Sequence, residues 1–232
     1  MDELEAWLQL QTKQVQQNVE VIHRTEADGP LLHLSADGNI KNFTPRLPEN
    51  RGRNDALSIP RVCVSRDILS AILAHGHMAY DALVEGYFTY SIYAFDWQSA
   101  LVPTSKVAGI PAHATGSEVW LVNYNKDHVY LKANVVGELQ VIGVLNAPSA
   151  KENEYTIVMK CAVKAKEDIN FYLQDDLKIE KDKPYIFTFN MYTEKYNKYT
   201  ADTLLFKEVS GGVYSEELAR RKKPRSVKDL SL

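Results

Sequence analysis

Residues 184–192 read PYIFTFNMY, and this run decides the fold class. Tyr185, Phe187, Phe189 and Met191 recur at every second position, so they leave one face of an extended strand. A helix would instead place its apolar residues three and four apart. Similar runs stand on either side: YTIVMKCAV at 155–163, INFYL at 169–173 and TLLFKEV at 203–209. So many strand candidates in one half predict an antiparallel sheet there. Thirteen tyrosines in 232 residues suit such half-buried sheet surfaces, and Tyr87, Tyr90 and Tyr93 are read as packing on one.

The first half mixes helix and strand. Asp2 caps and Glu5 completes a capping box for a helix over 2–22, with Leu4, Leu8, Val15, Val19 and Ile22 near one face. Ala27-Asp28-Gly29-Pro30 breaks the chain. LLHLS at 31–35 is a short strand followed by a turn, and 44–60 is a long Pro-, Asn- and Arg-rich loop of a kind that often carries function. RVCVS at 61–65 is a buried strand leading into a helix that starts at Ser65 or Asp67, with Ser65 as its N-cap, and runs to about Ala74. Residues 86–95 and 117–122 are strands, 96–116 reads as irregular, and 129–145 holds one or two more strands around Gly137. The fold class is therefore α+β: mixed, largely antiparallel sheets, an N-terminal helix and a strand-rich C-terminal half. Three parts are expected. They are an α+β region over 1–146, a strand-rich stretch over 147–215 that extends it or forms a small second module, and a basic tail over 216–232.

Charge is unevenly spread. The net value is −3, but RRKKPRSVK at 220–228 holds six of the 27 basic residues, which leaves −8 on residues 1–219. An acidic body disfavours nucleic acid as a partner except through the tail, which is expected to be solvated. Cys63 and Cys161 sit in apolar runs and read as buried free thiols in a reducing compartment. MDELEAWLQLQ lacks the basic-then-apolar character of a secretion signal, and no apolar run is long enough to span a bilayer. A cytoplasmic protein without a membrane partner is expected. Its oligomeric state is left open.

Three features can carry chemistry: His33-Leu34-Ser35, the strand–helix unit from Arg61 to His75, and Glu118, a carboxylate opening the apolar strand SEVWLV. Each has a purely structural alternative. Glu118 at a strand's first residue can simply face solvent, and His33 can be a core histidine donating to a backbone carbonyl. His75 and His77, beside Gly76 at a helix end, suit the helix dipole rather than a metal.

The run LLHLS, then TPRLP, then PRVCVS with its helix, then TGSEVWLV, resembles a group of small bacteriophage and bacterial proteins over roughly residues 30–145. The order of His strand, strand–helix and Glu strand is similar to the ADP-ribosyltransferase fold. The resemblance implies that His33 stands at the first motif, Ser65 at the second and Glu118 at the third. It implies NAD or a related nucleotide as ligand, in a cleft lined by His33, Ser35, Arg46, Arg61, Ser65 and Glu118. His33 would orient NAD, and Glu118 would bind a ribose hydroxyl and stabilise positive charge as the nicotinamide bond breaks. Arg46 or Arg61 would pair with the pyrophosphate. The implied setting is a host cell in which a component is modified. Gly116 stands where arginine-directed members usually carry a second Glu or Gln, and RVCVS lacks the stacking Tyr that many enzymes of the family carry.

Two other readings stay open. His33-Leu34-Ser35 and His113-Ala114-Thr115 both fit His-x-Ser/Thr, the pattern by which two-histidine phosphoesterases act on cyclic phosphates. The chain can also be a non-catalytic inhibitor or binding protein that docks a host protein through 155–209. The NAD reading requires one geometric fact: His33 and Glu118 must face a shared hollow.

Overall fold

A computed structural model describes residues 2–47, 58–74, 88–104, 118–124, 131–148, 155–193 and 199–220. The first half supplies strands β1 (Val19–His23), β2 (Leu31–Ser35), β3 (Val62–Ser65), β4 (Phe88–Phe95), β5 (Ser99–Pro103) and β6 (Glu118–Leu121). The second supplies β7 (Asn134–Pro148), β8 (Tyr155–Ala165), β9 (Ile169–Tyr172), β10 (Leu177–Ile179), β11 (Pro184–Thr193) and β12 (Tyr199–Glu208). Ten of them form one sheet, ordered β1-β5-β6-β3-β2-β4-β7-β8-β11-β12, and β9 pairs with β10 apart from it. Every neighbouring pair in the large sheet is antiparallel. The protein is thus a strand-rich α+β protein with an antiparallel sheet, as the alternation at 184–192 predicts.

Alternation gives the sheet two faces. One carries Leu32 and Leu34 of β2, Leu139 and Val141 of β7, and Phe187 and Phe189 of β11. Helix α3 (Ile68–Ala74) and the β9–β10 hairpin cover it, the hairpin through Ile169, Phe171 and Ile179. Toward β1 the same face carries Leu101 and Trp120, covered by Leu4 and Val15. This is called the α3 face below. The opposite, Phe43 face carries Leu31, Val62, Val64, Tyr93, Phe95 and Val119, with the Phe43 ring laid across them.

Four local expectations change. The helix over 2–22 is two helices and a strand: α1 (Glu3–Gln9), closed by the Asp2–Glu5 capping box, α2 (Lys13–Asn18), capped by Thr12, and then β1. The run VEVIH extends because all five residues pair with β5 at the sheet edge, which outweighs local propensity. That partner lies inside the 96–116 stretch read as irregular. Its alternation is hidden because Ala100 and Leu101 are both buried, on opposite faces. Asp67, not Ser65, caps α3, since the Ser70 amide donates to Asp67 Oδ1 at 2.7 Å. Residues 216–220, assigned to the tail, lie in helix α4 (Gly211–Arg220). The remaining tail residues lie outside the described ones.

β7 and β8 are paired from Gly137↔Ala165 to Pro148↔Tyr155, with one register shift between Val141 and Gly143, so Ala147 and Pro148 belong to β7. β7 also pairs with β4, which makes one continuous sheet across the expected boundary at 146. Gly137 sits where those ladders meet, beside a register shift. A Cβ there would stand 2.6 Å from the Lys164 carbonyl oxygen and 3.0 Å from Ala165 Cα. Both are backbone atoms of β8, so relief requires the strand to move. Gly143, where a Cβ would meet only the Lys160 side chain at 3.6 Å, is the control. Gly137→Ala should cost about 2 kcal/mol or more in urea unfolding and Gly143→Ala well under half of that. Equal losses would refute this account of Gly137.

Candidate functional site

β2, β3 and β6, the strands carrying the three motif residues, are consecutive neighbours at the centre of the sheet's N-terminal half. Ser65 stands directly opposite Glu118 on β6 and opposite Leu32 on β2. The pleat then sorts side chains by parity. Arg61, Cys63 and Ser65 leave the α3 face together with Glu118 and Trp120, and Trp120 sits opposite Cys63 and Leu101. The sequence expectation of a solvent-facing Glu118 fails: the residue is 6% exposed, Arg61 4% and Ser65 2%. Asp67 and Ser70, at the start of α3, extend the buried polar group.

These side chains organise one another. The Trp120 indole N–H donates to Glu118 Oε1 at 2.7 Å. The Arg61 guanidinium lies 3.9 Å from the centroid of the Trp120 ring, a cation–π contact worth about 2 kcal/mol when water is excluded. Its Nη1 also donates to the Ile59 carbonyl at 3.4 Å. Cys63 lies between the two charges. Burial pushes its thiol up to about 12, the Glu118 charge pushes the same way, and Arg61 opposes both. Burial also raises the Asp67 carboxyl above its ordinary value, against the hydrogen bond from the Ser70 amide.

His33 is not in this group. Its neighbours in register, Tyr93 on β4 and the ring of Phe43, belong to the opposite face. The imidazole lies at the seam between β2 and β3, with Nδ1 2.9 Å from the Cys63 carbonyl oxygen. A carbonyl only accepts, so Nδ1 carries the proton. This is the structural alternative for His33 read from the sequence. Ser35 leaves the same face as His33, and its hydroxyl accepts from the Asp37 amide in the following turn. Arg46 is exposed and exchanges two backbone hydrogen bonds with Arg61, at 3.0 and 3.2 Å. The structure therefore brings Arg61, Ser65 and Glu118 together, holds Arg46 at the neighbouring backbone, and separates His33 and Ser35 from them. The shared hollow of His33 and Glu118 is not formed among the described residues. His75, His77 and His113 lie outside those residues.

The stretch 155–209 supplies inner strands β8 and β11 and the edge strand β12, whose Leu205 is exposed. A cleft of about 420 Å³ lies by Glu138, Gln140, Lys164 and Tyr214 and touches none of the predicted site residues. Among the described residues no cluster of His, Cys, Asp and Glu could hold a metal ion, and no helix is long and apolar enough to cross a membrane.

For NAD the fit is divided. A fixed carboxylate beside a hydroxyl suits a ribose diol. Of the two candidate arginines, Arg61 is turned inward onto Trp120 and Arg46 is exposed. Sequence reasoning left Trp120 out altogether and read Cys63 only as a buried thiol, not as part of the site. Their spacing was visible, since positions 61, 63 and 65 and positions 118 and 120 share parity, but the pairing of β3 with β6 was not. Compared with protein-family models, curated proteins and solved structures, the chain matches none.

Two measurements check this electrostatic picture. With a thiol near 12, only about one Cys63 in 10,000 is thiolate at pH 8. Iodoacetamide should leave both cysteines unlabelled in the native protein by mass spectrometry, and fast single labelling at Cys63 would contradict it. Asp67→Asn keeps a capping side chain and removes a charge that burial disfavours. Because the folded carboxyl titrates above its unfolded value, the stability Asp67 contributes falls as pH rises through that interval. Asp67→Asn should gain on the parent over the same interval and match or exceed its stability at pH 7, while Asp67→Ala loses about 1 kcal/mol. An Asn variant as unstable as the Ala variant at every pH would refute it.

Proposed function

We propose that this chain is an ADP-ribosyltransferase-like protein that binds NAD or a related nucleotide, with Glu118 as its working carboxylate and without the His33 partner that the sequence reading required, since His33 leaves the opposite face of the sheet. One observation supports this above all. The three strands whose order carries the family resemblance are immediate neighbours, and Ser65 and Glu118 are direct cross-strand partners. Residues far apart along a chain serve one ligand only if the strands bearing them adjoin.

The chemistry follows from charge. As the bond from ribose C1′ to the nicotinamide nitrogen breaks, nicotinamide leaves with the bonding electrons and C1′ becomes positive. A carboxylate held in a water-poor site stabilises that charge more than one in bulk water. An acceptor, water or a target nucleophile, then adds to C1′. Ser65 accompanies the carboxylate, and Arg46, exposed beside the Arg61 backbone, would pair with the pyrophosphate. His33 takes no part in this scheme, because its Nδ1 proton is committed to the Cys63 carbonyl on the other side of the seam.

Calorimetric titration with NAD, together with assay of released nicotinamide, tests the proposal. The parent should bind NAD, and Glu118→Gln should lower nicotinamide release by roughly 100-fold or more with the fold intact. His33→Gln should leave release within a few-fold of the parent. No binding of NAD, or activity indifferent to Glu118→Gln, would sink the reading.

A further inference from the structure

We infer that Trp120 is a positioning residue for Glu118: its indole N–H fixes the carboxylate and favours its charged form, and Arg61 locks the indole in place. The inference rests on the nucleotide reading for its functional meaning, but its geometry stands apart from any ligand. Trp120 and Glu118 lie two residues apart on β6, so they share a face, and the indole reaches back along the strand to Oε1 at 2.7 Å. Trp120 has no exposed surface. Its ring is fixed by Arg61 at 3.9 Å on one side and by the backbone register with Cys63 and Leu101. An indole nitrogen can only donate, so the bond forms best with an ionised carboxylate.

This arrangement answers a cost. A buried carboxylate tends to take up a proton, which would abolish its ability to stabilise a cationic sugar. Arg61 and Cys63 stand on the same face as Glu118, and Asp67 at the start of α3 belongs to the same buried polar group. Arg61 favours the ionised carboxylate. Cys63 stays a neutral thiol, since the same burial and the Glu118 charge hold it protonated. The indole bond adds a directional contribution that a point charge cannot: it selects which oxygen is held and leaves the other's direction set.

Trp120→Phe keeps a ring for Arg61 and removes only the donor. Loss of a hydrogen bond to a charged group should raise the Glu118 midpoint by about one to two pH units. The acid limb of the pH profile of nicotinamide release should move up by that amount. Activity should fall about 5- to 50-fold at the old midpoint and recover toward the parent at higher pH. A uniform loss at every pH, with the limb unmoved, would mean that Trp120 is merely structural and would overturn the inference.

A second readout needs no nucleotide. Protein labelled with ¹⁵N-tryptophan has three indole signals, one of which disappears in Trp120→Phe. That signal should shift with pH across the Glu118 titration and should lose the titration in Glu118→Gln. If it ignores both while NAD is still bound, the positioning role is wrong and the nucleotide reading survives. If it behaves as stated and NAD is not bound, the nucleotide reading fails and the indole–carboxylate coupling stands.

Discussion

Successive side chains of a strand leave opposite faces of its sheet, and almost everything distinctive here depends on that constraint. It places Leu31, Val62, Val64 and Val119 against Phe43, and Leu32, Leu34 and Trp120 on the other side. It also gathers Arg61, Cys63, Ser65, Glu118 and Trp120 without any sequence proximity between the two strands involved. The same rule parts His33 from Glu118. A histidine one place earlier or later in LLHLS would have stood on the carboxylate's side. At its own position it secures a seam.

The buried charges are better understood as a mutually held set than as isolated curiosities. Removing Arg61 and Glu118 from water carries a penalty of several kcal/mol per ion, which attraction and hydrogen bonds offset only in good geometry. The guanidinium over the indole, the indole nitrogen on the carboxylate and the neutral thiol between them supply that geometry. A core filled by apolar residues would be simpler to stabilise.

Much of the fold was legible because period-two patterns survive wherever one face is apolar and the other polar. Tyr185, Phe187 and Phe189 announced β11 in that way, and Phe88–Phe95 announced β4. β5 was illegible for the opposite reason: Ala100 and Leu101 are both buried, so neighbours on the two faces look alike in sequence. The N-terminal pattern misled because Leu4, Val15 and Val19 pack into one cluster whether or not a single helix carries them. Within the site, residue types were readable and parity was readable. Register was not, since it is set by pairing between strands more than fifty residues apart, and register decided which candidates met.

β2 and β3 share a single ladder pair, Leu32 with Ser65, whereas β7 and β8 remain paired along almost their whole length. The β3 edge beyond that pair is finished by a side chain, His33, at Cys63 and by a loop backbone, Arg46, at Arg61. Cooperative unfolding units follow continuous ladders, and the sheet narrows to a single ladder pair at two joints, β3 with β2 and β5 with β6. Amides flanking these joints are where solvent protons first enter during a partial opening, ahead of those in the long β7–β8 ladder.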